Sequence, residues 1–409
     1  MTEFFRYDEL TWQAIDALPR DTPLVIPLGE GYSLERLASA LSNPARIGLL
    51  PGIPFGWAGS GLPISEHLLE AFLLNLLGSL RDDGFSRVYA LTPQGMSWSK
   101  EGTGLGASGM WLALPRQSAG ESGSEQADAA VASCGRGLLP DSERGKVVII
   151  PIGHTEQHAY HLPMSTDTVI IDAIAEGVAK AIPQKATRLP VMPYGVSMHR
   201  TAFAGTLNIG GRAFEDFWLG VIDLLAARGF DRVFLISGHG GNCSFLVNVV
   251  KYAGERHPRL FCATVTLYLT GTQGMEAIEK HRSSALGGMG HACELETSLM
   301  LHLRPDLVHM DRVADDTDFI ATPSYYMDWV EGGALIANPP WYDDTISGAY
   351  GAGSLATAEK GRLWLEAAIQ EKIAQVMEIH EQHERREARR ISGYGRWGQN
   401  NKAAANDLS

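Results

Sequence analysis

The sequence predicts an α/β layered fold with a mostly parallel sheet flanked by helices. Three observations carry this. From Lys146 onward, short apolar runs alternate with stretches of helical periodicity. The runs are β-branched and lack polar alternation, as strands covered on both faces are. A weak internal repeat makes the first third of the 409-residue chain a worn version of the same pattern.

In that first third, Phe72–Gly95 lies over Phe217–Gly240 without a gap, so that Gly84-Phe85-Ser86-Arg87-Val88 falls on Gly229-Phe230-Asp231-Arg232-Val233. Leu50–Gly56 matches Leu189–Gly195, and Ile26–Gly29 matches Ile150–Gly153, in the same order. The surviving positions are glycines, prolines and apolar strand residues, which serve folding. Residues 1–115 therefore read as a degenerate structural copy. Residues 116–145, rich in Ser, Gly, Ala, Glu and Asp, read as a flexible linker.

The second copy, residues 146–392, opens with the strand Val147–Ile152, followed by a helix over Asp167–Ala181. Phe214, Phe217, Val221, Leu224 and Leu225 recur at helical spacing, and Gly229 sits where a left-handed helix stop is wanted. Strands over Arg232–Ile236 and Leu260–Leu267 and helices over Asn242–Ala253 and His291–Leu303 follow. Ala356–Ser392 is a long helix pattern, and residues 393–409 read as a disordered tail.

The composition narrows the function. A formal net charge of -13, from 34 Lys+Arg against 47 Asp+Glu, argues against nucleic acid as the partner and favours a small molecule. Four cysteines without C-x-x-C spacing suggest neither a disulfide framework nor a thiolate metal site. No targeting or membrane-spanning stretch is evident, so a soluble cytoplasmic protein is expected.

Chemistry gathers after the first strand of the second copy, in Gly153-His154-Thr155-Glu156-Gln157-His158, with Asp167 at the following helix start. Open α/β sheets place ligands at such strand ends. Glu156 and His158, two apart in an extended segment, can face one site. Asp167 can bridge two ions with its two oxygens, and carboxylate plus imidazole ligands suit Zn, Mn or Fe. The next strand ends in Gly238-His239-Gly240-Gly241-Asn242, which makes His239 the remaining metal ligand. Gly104–Gly109 satisfies G-x-G-x-x-G, but no strand runs into it, and His380-Glu381-Gln382-His383 is one residue short of the zincin spacing.

These segments, in this order, resemble the creatininase family of metal-dependent amidohydrolases. The resemblance rests on P-x-G-x-x-E-x-H-x-x-H-L-P-x-x-T-D at Pro151–Asp167 and G-x-S-x-H-x-x-x-F-x-G-T at Gly195–Thr206. It continues in G-H-G-G-N at Gly238–Asn242, H-A-x-E-x-E-T-S at His291–Ser298 and A-T-A-E-K-G at Ala356–Gly361. It implies that Glu156, Asp167 and His239 bind one divalent ion, and His158 with the bridging Asp167 a second. Creatininase proper has a glutamate for the second metal where this chain has Gly241, so creatinine is not the expected substrate, and Glu296 is the candidate replacement. The G-H-G-G-N form looks like the broader family, which includes a formamide-cleaving deformylase and the peptidase that trims the mycofactocin precursor.

The resulting expectation is hydrolysis of an amide, cyclic amide or formamide C–N bond, with two divalent ions (Zn, Mn or Fe) holding a bridging hydroxide. His291 is expected to protonate the departing nitrogen, oriented by Glu296. Ser197, His199 and Asn242 are the candidates for substrate contact. A homo-oligomer is expected, with the first copy occupying a neighbour's place. The alternatives are a peptidase of the mycofactocin-precursor type or a metal-binding structural protein without turnover.

Overall fold

The computed structural model describes residues 1–96, 109–116, 138–197, 203–329 and 333–394. Its first sheet is wholly parallel, built from β1 (Glu3–Arg6), β2 (Leu24–Pro27), β3 (Arg46–Leu49), β4 (Val88–Pro93) and β5 (Trp111–Leu114) in the order β1-β3-β2-β4-β5. A second parallel sheet holds β6 (Val147–Ile152), β7 (Ala186–Arg188), β8 (Arg232–Ser237) and β9 (Phe261–Thr264) in the order β7-β6-β8-β9. Strands β3-β2-β4-β5 thus follow each other as β7-β6-β8-β9 do, so the two stretches that align in sequence share a strand order. β10 (Met289–His291), β12 (Tyr350–Ala352) and β11 (Asp315–Asp316) add a small antiparallel sheet.

Helix ends repeat as well. α3 (Glu66–Asp82) gives way to Gly84 at φ +93°, and Phe85 N–H donates to Leu80 O at 3.1 Å. α5 (Gly211–Ala227) gives way to Gly229 at φ +85°, and Phe230 N–H donates to Leu225 O at 3.0 Å. Both glycines occupy the left-handed region that the sequence pattern calls for. α1 (Trp12–Asp16) and α2 (Leu34–Ala40) precede α3, and α4 (Thr166–Ala181) follows β6. α6 (Gly240–Arg256), α7 (Thr272–His281), α8 (Glu294–Leu303) and the long α9 (Ala358–Ile391) complete the helices used below.

The two parallel sheets share one core. Apolar side chains from Tyr7 to Ala253 form a continuous buried cluster, in which Phe72 of α3 meets Phe217 of α5 at 4.6 Å and Phe55 meets Trp218 at 6.1 Å between ring centroids. Each such ring contributes roughly 1.5–3 kcal/mol by leaving water. On the other side of β6 and β8, α9 packs over α4 and α8 through Trp364 and Ala368.

Three expectations are corrected. The strand placed at Leu260–Leu267 is confined to Phe261–Thr264. His291 does not open a helix; it ends β10, and the helix begins at Glu294. The end of the segment read as linker is packed: Leu139 is buried, and Arg228 donates to Leu139 O and to Asp141 Oδ1. Two leucines between Gly137 and Pro140 are too short a signal to read as an element.

Candidate metal centre

The loop after β6 carries Glu156 and His158 into the interior, and α4 presents Asp167 from its first turn. β8 delivers His239 immediately before α6, and β10 with α8 delivers His291 and Glu296. Every one of these six side chains is buried. Asp167 lies between two imidazoles, with Oδ1 3.2 Å from His158 Nε2 and Oδ2 3.4 Å from His239 Nδ1. His239 Nδ1 is also 3.2 Å from Glu156 Oε1, and His158 Nε2 is 3.9 Å from Glu296 Oε1.

This packing fits cations. His158 Nε2 and Asp167 Oδ2 are buried without a hydrogen-bond partner, although each stands close to an oppositely charged group. Atoms that converge on a shared point rather than on each other behave in this way, and buried polar atoms are rarely left alone. Three carboxylates, Glu156, Asp167 and Glu296, crowd into one buried space, which cations between them relieve. His158, Asp167 and Glu296 bring their ligand atoms within 4.8 Å of one another, as do His154, Glu156 and His239.

The outer nitrogens decide which imidazoles can ligate. His158 Nδ1 faces Glu156 O at 3.1 Å and His239 Nε2 faces Val196 O at 2.9 Å. A carbonyl only accepts, so each ring donates there and turns a lone pair inward, the usual arrangement of metal-binding histidines. His154 is the opposite case: its Nδ1 accepts from Gly195 N–H at 2.9 Å, so in the neutral ring Nε2 carries the hydrogen and cannot ligate. Burial beside His239 pushes His154 down to about 3, which keeps it neutral. Asp167 thereby joins Glu156 and His239 in one set of donors, while also belonging to the set with His158 and Glu296.

The charges are strongly coupled. Burial lowers His158 but Asp167 beside it prevails and holds the ring up at about 9; burial likewise opposes, and Glu156 enforces, a His239 well above the ordinary histidine range. Glu156 stays well below the usual carboxylate range because His239 outweighs its burial, and His158 holds Asp167 at about 2 in the same way. Glu296 is pushed up to about 7 by burial, with Asp167 and Glu156 adding to the rise against His158.

His291 is oriented by a residue that sequence reasoning did not single out. Its Nε2 lies 2.8 Å from Gln157 O and 3.2 Å from Gln157 Nε2, leaving Nδ1 3.5 Å from Glu156 Oε1. Glu296, the expected orienter, instead accepts from Ala292 N–H at 2.6 Å and faces His158. Gln157 is itself fixed, its Oε1 accepting from Ala159 N–H at 2.9 Å and its Nε2 donating to Gly348 O at 2.9 Å. Nothing in its position between Glu156 and His158 signals this, because the loop has no strand periodicity. Ala159 and Ala292, each directly after a site histidine, hold φ of +54° and +48°, a conformation that costs alanine about 1 kcal/mol or more.

The donors open into a cavity of about 240 Å³ walled by Leu267, Met327, Asp328, Trp329 and Trp341, and Trp341 meets the His291 ring at 4.8 Å. These wall residues lie outside every motif and were also missed. Asn242 does not reach this cavity: its Oδ1 accepts from Val196 N–H at 2.9 Å, and its Nδ2 donates to Gly153 O and Ser237 Oγ. These bonds tie the chain at Gly153, Val196 and Ser237 together, so the expectation of substrate contact gives way to a scaffolding role. Ser197 is buried with an Oγ that has no partner among the described residues. His199 lies outside the described residues.

The first copy reaches the site physically. Asp8 O and Leu10 O accept from Ser165 N–H and Met164 N–H at 2.9 and 3.0 Å, just before Asp167. Trp12 donates to Ser347 O at 3.1 Å and packs on Phe203, which shares a cluster with Trp341. At the positions matching Glu156, His158 and His239 the N-terminal stretch has Tyr32, Leu34 and Gln94, and every candidate metal group among the described residues lies after Lys146.

Comparison with known proteins places this geometry in context. The family model described as creatininase, creatinine amidohydrolase, matches residues 139–377, more than half the chain. Creatinine amidohydrolase of Pseudomonas putida is 29% identical over 238 residues, covering 55% of this chain and 86% of that protein. The mycofactocin precursor peptide peptidase of Mycobacterium ulcerans (strain Agy99) is 33% identical over 174 residues, covering 41% of this chain and 62% of the relative's length. The solved structure called creatininase Mn superposes with a TM-score of 0.50 at 25% identity, covering 58% of this chain and 92% of the other.

Proposed function

Because the chain belongs to the creatininase family, we propose that it is a metal-dependent hydrolase of a C–N bond in an amide, cyclic amide or formamide. The observation that carries this is the pair of donor sets sharing Asp167: Glu156 and His239 on one oxygen's side, His158 and Glu296 on the other's. Two divalent ions, Zn, Mn or Fe, fit these donors. Bound there, such ions supply Lewis acidity and a water acidic enough to attack at neutral pH.

The chain's own residues do the rest. Gln157 O holds the Nε2 hydrogen of His291, so Nδ1 is the atom that accepts a proton from the attacking water. As the C–N bond breaks, the same Nδ1 hands that proton to the departing nitrogen. Burial beside His158 keeps His291 down at about 3, so it starts neutral and holds the proton only in passing. Trp341, Met327 and Trp329 exclude bulk water from the small cavity.

Gly241 stands where creatininase proper has a metal-binding glutamate, and a β-carbon there would lie 2.3 Å from Val196 O. No side chain fits, which supports Glu296 as the substitute and a substrate other than creatinine. A cytoplasmic location is supported by three unpaired cysteines, Cys243, Cys262 and Cys293, and among the described residues no helix is long and apolar enough to cross a membrane. The first copy, read as a catalytically silent structural domain, supports the site through Asp8, Leu10 and Trp12, within an assembly of identical chains.

The deciding experiment loads the purified protein with Mn, Zn or Fe and screens formamides, cyclic amides and short peptides. Turnover that a chelator abolishes and metal restores is expected. Tight stoichiometric metal with no turnover on any of them would favour a non-catalytic metal-binding protein.

A further inference from the structure

The catalytic cavity is small, but it does not end at its own walls. A groove of about 580 Å³ meets it at Gly240 and Gly241, the first two residues of α6, which line both. A β-carbon on Gly240 would meet no atom within 4 Å, so the space beside this shared residue is open. Beyond this ridge the groove runs past Cys243, Phe245 and Val247 of α6 to Thr266, Ile336 and Ala337. None of the side chains lining it is charged. Val247 is 44% and Ile336 95% exposed, an apolar surface that adjoins the site at Gly240 and Gly241.

Resting on the proposed amide hydrolysis, we infer that this groove is a substrate subsite: it takes a neutral, apolar arm several carbons long on the carbonyl side of the scissile bond. The side follows from the geometry. His239, a donor to the first ion, directly precedes Gly240, whereas His291, which serves the departing nitrogen, stands against Trp341. A carbonyl carbon set between them with its nitrogen toward His291 points its other substituent at the Gly240 ridge. The substrate is then an extended acyl amide, too long for the 240 Å³ cavity alone.

Straight-chain hydroxamates test this, because their head groups chelate the ions and their alkyl chains report the groove. Calorimetry on the Mn-loaded full-length protein gives the ratio of octanohydroxamate to acetohydroxamate affinity. A buried methylene contributes up to about fourfold, so a ratio of at least about a hundredfold is expected. In Val247→Glu and, separately, Ile336→Glu, both on exposed positions, the ratio should fall below about tenfold. Acetohydroxamate binding with no gain from chain length, or an undiminished gain in both variants, overturns the subsite while leaving the metal centre standing. Failure of acetohydroxamate to bind a metal-loaded protein overturns the metal-centre reading and the subsite with it.

Discussion

Replacing Gly241 by alanine probes the point at which this chain departs from creatininase proper. The added β-carbon would stand 2.3 Å from Val196 O and 2.4 Å from His239 Nε2, nearer than real β-carbons come to anything. Those two atoms are hydrogen-bonded to each other at 2.9 Å. The methyl group therefore enters the bond that fixes the imidazole. Overpacking of this kind costs about 1–3 kcal/mol, and stranding the buried Val196 carbonyl costs about 1–3 kcal/mol more. Together the loss of stability should be on the order of 2–6 kcal/mol. The same displacement turns His239 Nδ1 away from Glu156 and Asp167, and disturbing the group that orients a metal-binding histidine weakens binding roughly ten- to a hundredfold. Denaturant unfolding of the metal-free protein measures the first effect and metal titration the second. A Gly241→Ala protein with unchanged midpoint and unchanged metal affinity would refute the reasoning. By the same steric argument, Gly241→Glu should not restore the second ion to a Glu296→Gln protein.

Other outcomes follow from the site. Glu296→Gln keeps an acceptor for Ala292 N–H but removes the charge facing His158, so elemental analysis should find one metal equivalent instead of two, with the loss confined to the second ion. Asp167→Ala should cost more metal than any other single ligand change, since both of its oxygens face donors; two full equivalents in that variant would contradict the bridge. In the metal-free protein, His158 is raised from 6.5 to about 9 beside Asp167, so the stability it contributes is complete below pH 6.5 and is lost as pH rises through about 9. Metal affinity should run the opposite way, rising over that window because the ligands must shed their protons, and thermal melts of both forms across it check the crossing trend. The fragment Lys146–Ser409 should be poorly soluble, because removing the first copy bares Phe217 and Trp218, whose partners are Phe72 and Phe55; a well-behaved, fully active fragment would contradict the role given to the first copy.

Much of this was legible in the sequence, and the reasons are local. β6 and β8 announce themselves as unbroken apolar runs because both faces are covered, and Gly229 marks a helix end because the left-handed conformation selects it. Glu156, His158, Asp167 and His239, which the structure brings together, stand out in the sequence because ligand chemistry restricts residue type and strand ends restrict position. What stayed hidden depends on contacts between distant segments. Gln157 orients His291 across 134 residues of chain, and Asn242 turns inward to the backbone of Val196 and Gly153 and to Ser237 Oγ although its motif suggested substrate. Met327 and Trp341, the latter opening a short 3-10 helix, lie in sequence without periodicity, so spacing does not tie them to the cavity. The repeat predicted two related halves, yet only the packing reveals that Asp8, Leu10 and Trp12 of the first half brace the site of the second.

The central claim is that two ions share Asp167, and anomalous scattering from crystals of the Mn-loaded protein, collected at the metal edge, tests it most directly. The account predicts two peaks roughly 3.5–4 Å apart, one among Glu156, His239 and Asp167 and the other among His158, Asp167 and Glu296, with His154 ligating neither. A single peak held by His154, Glu156 and His239, with Asp167 and Glu296 outside its coordination shell, would contradict it.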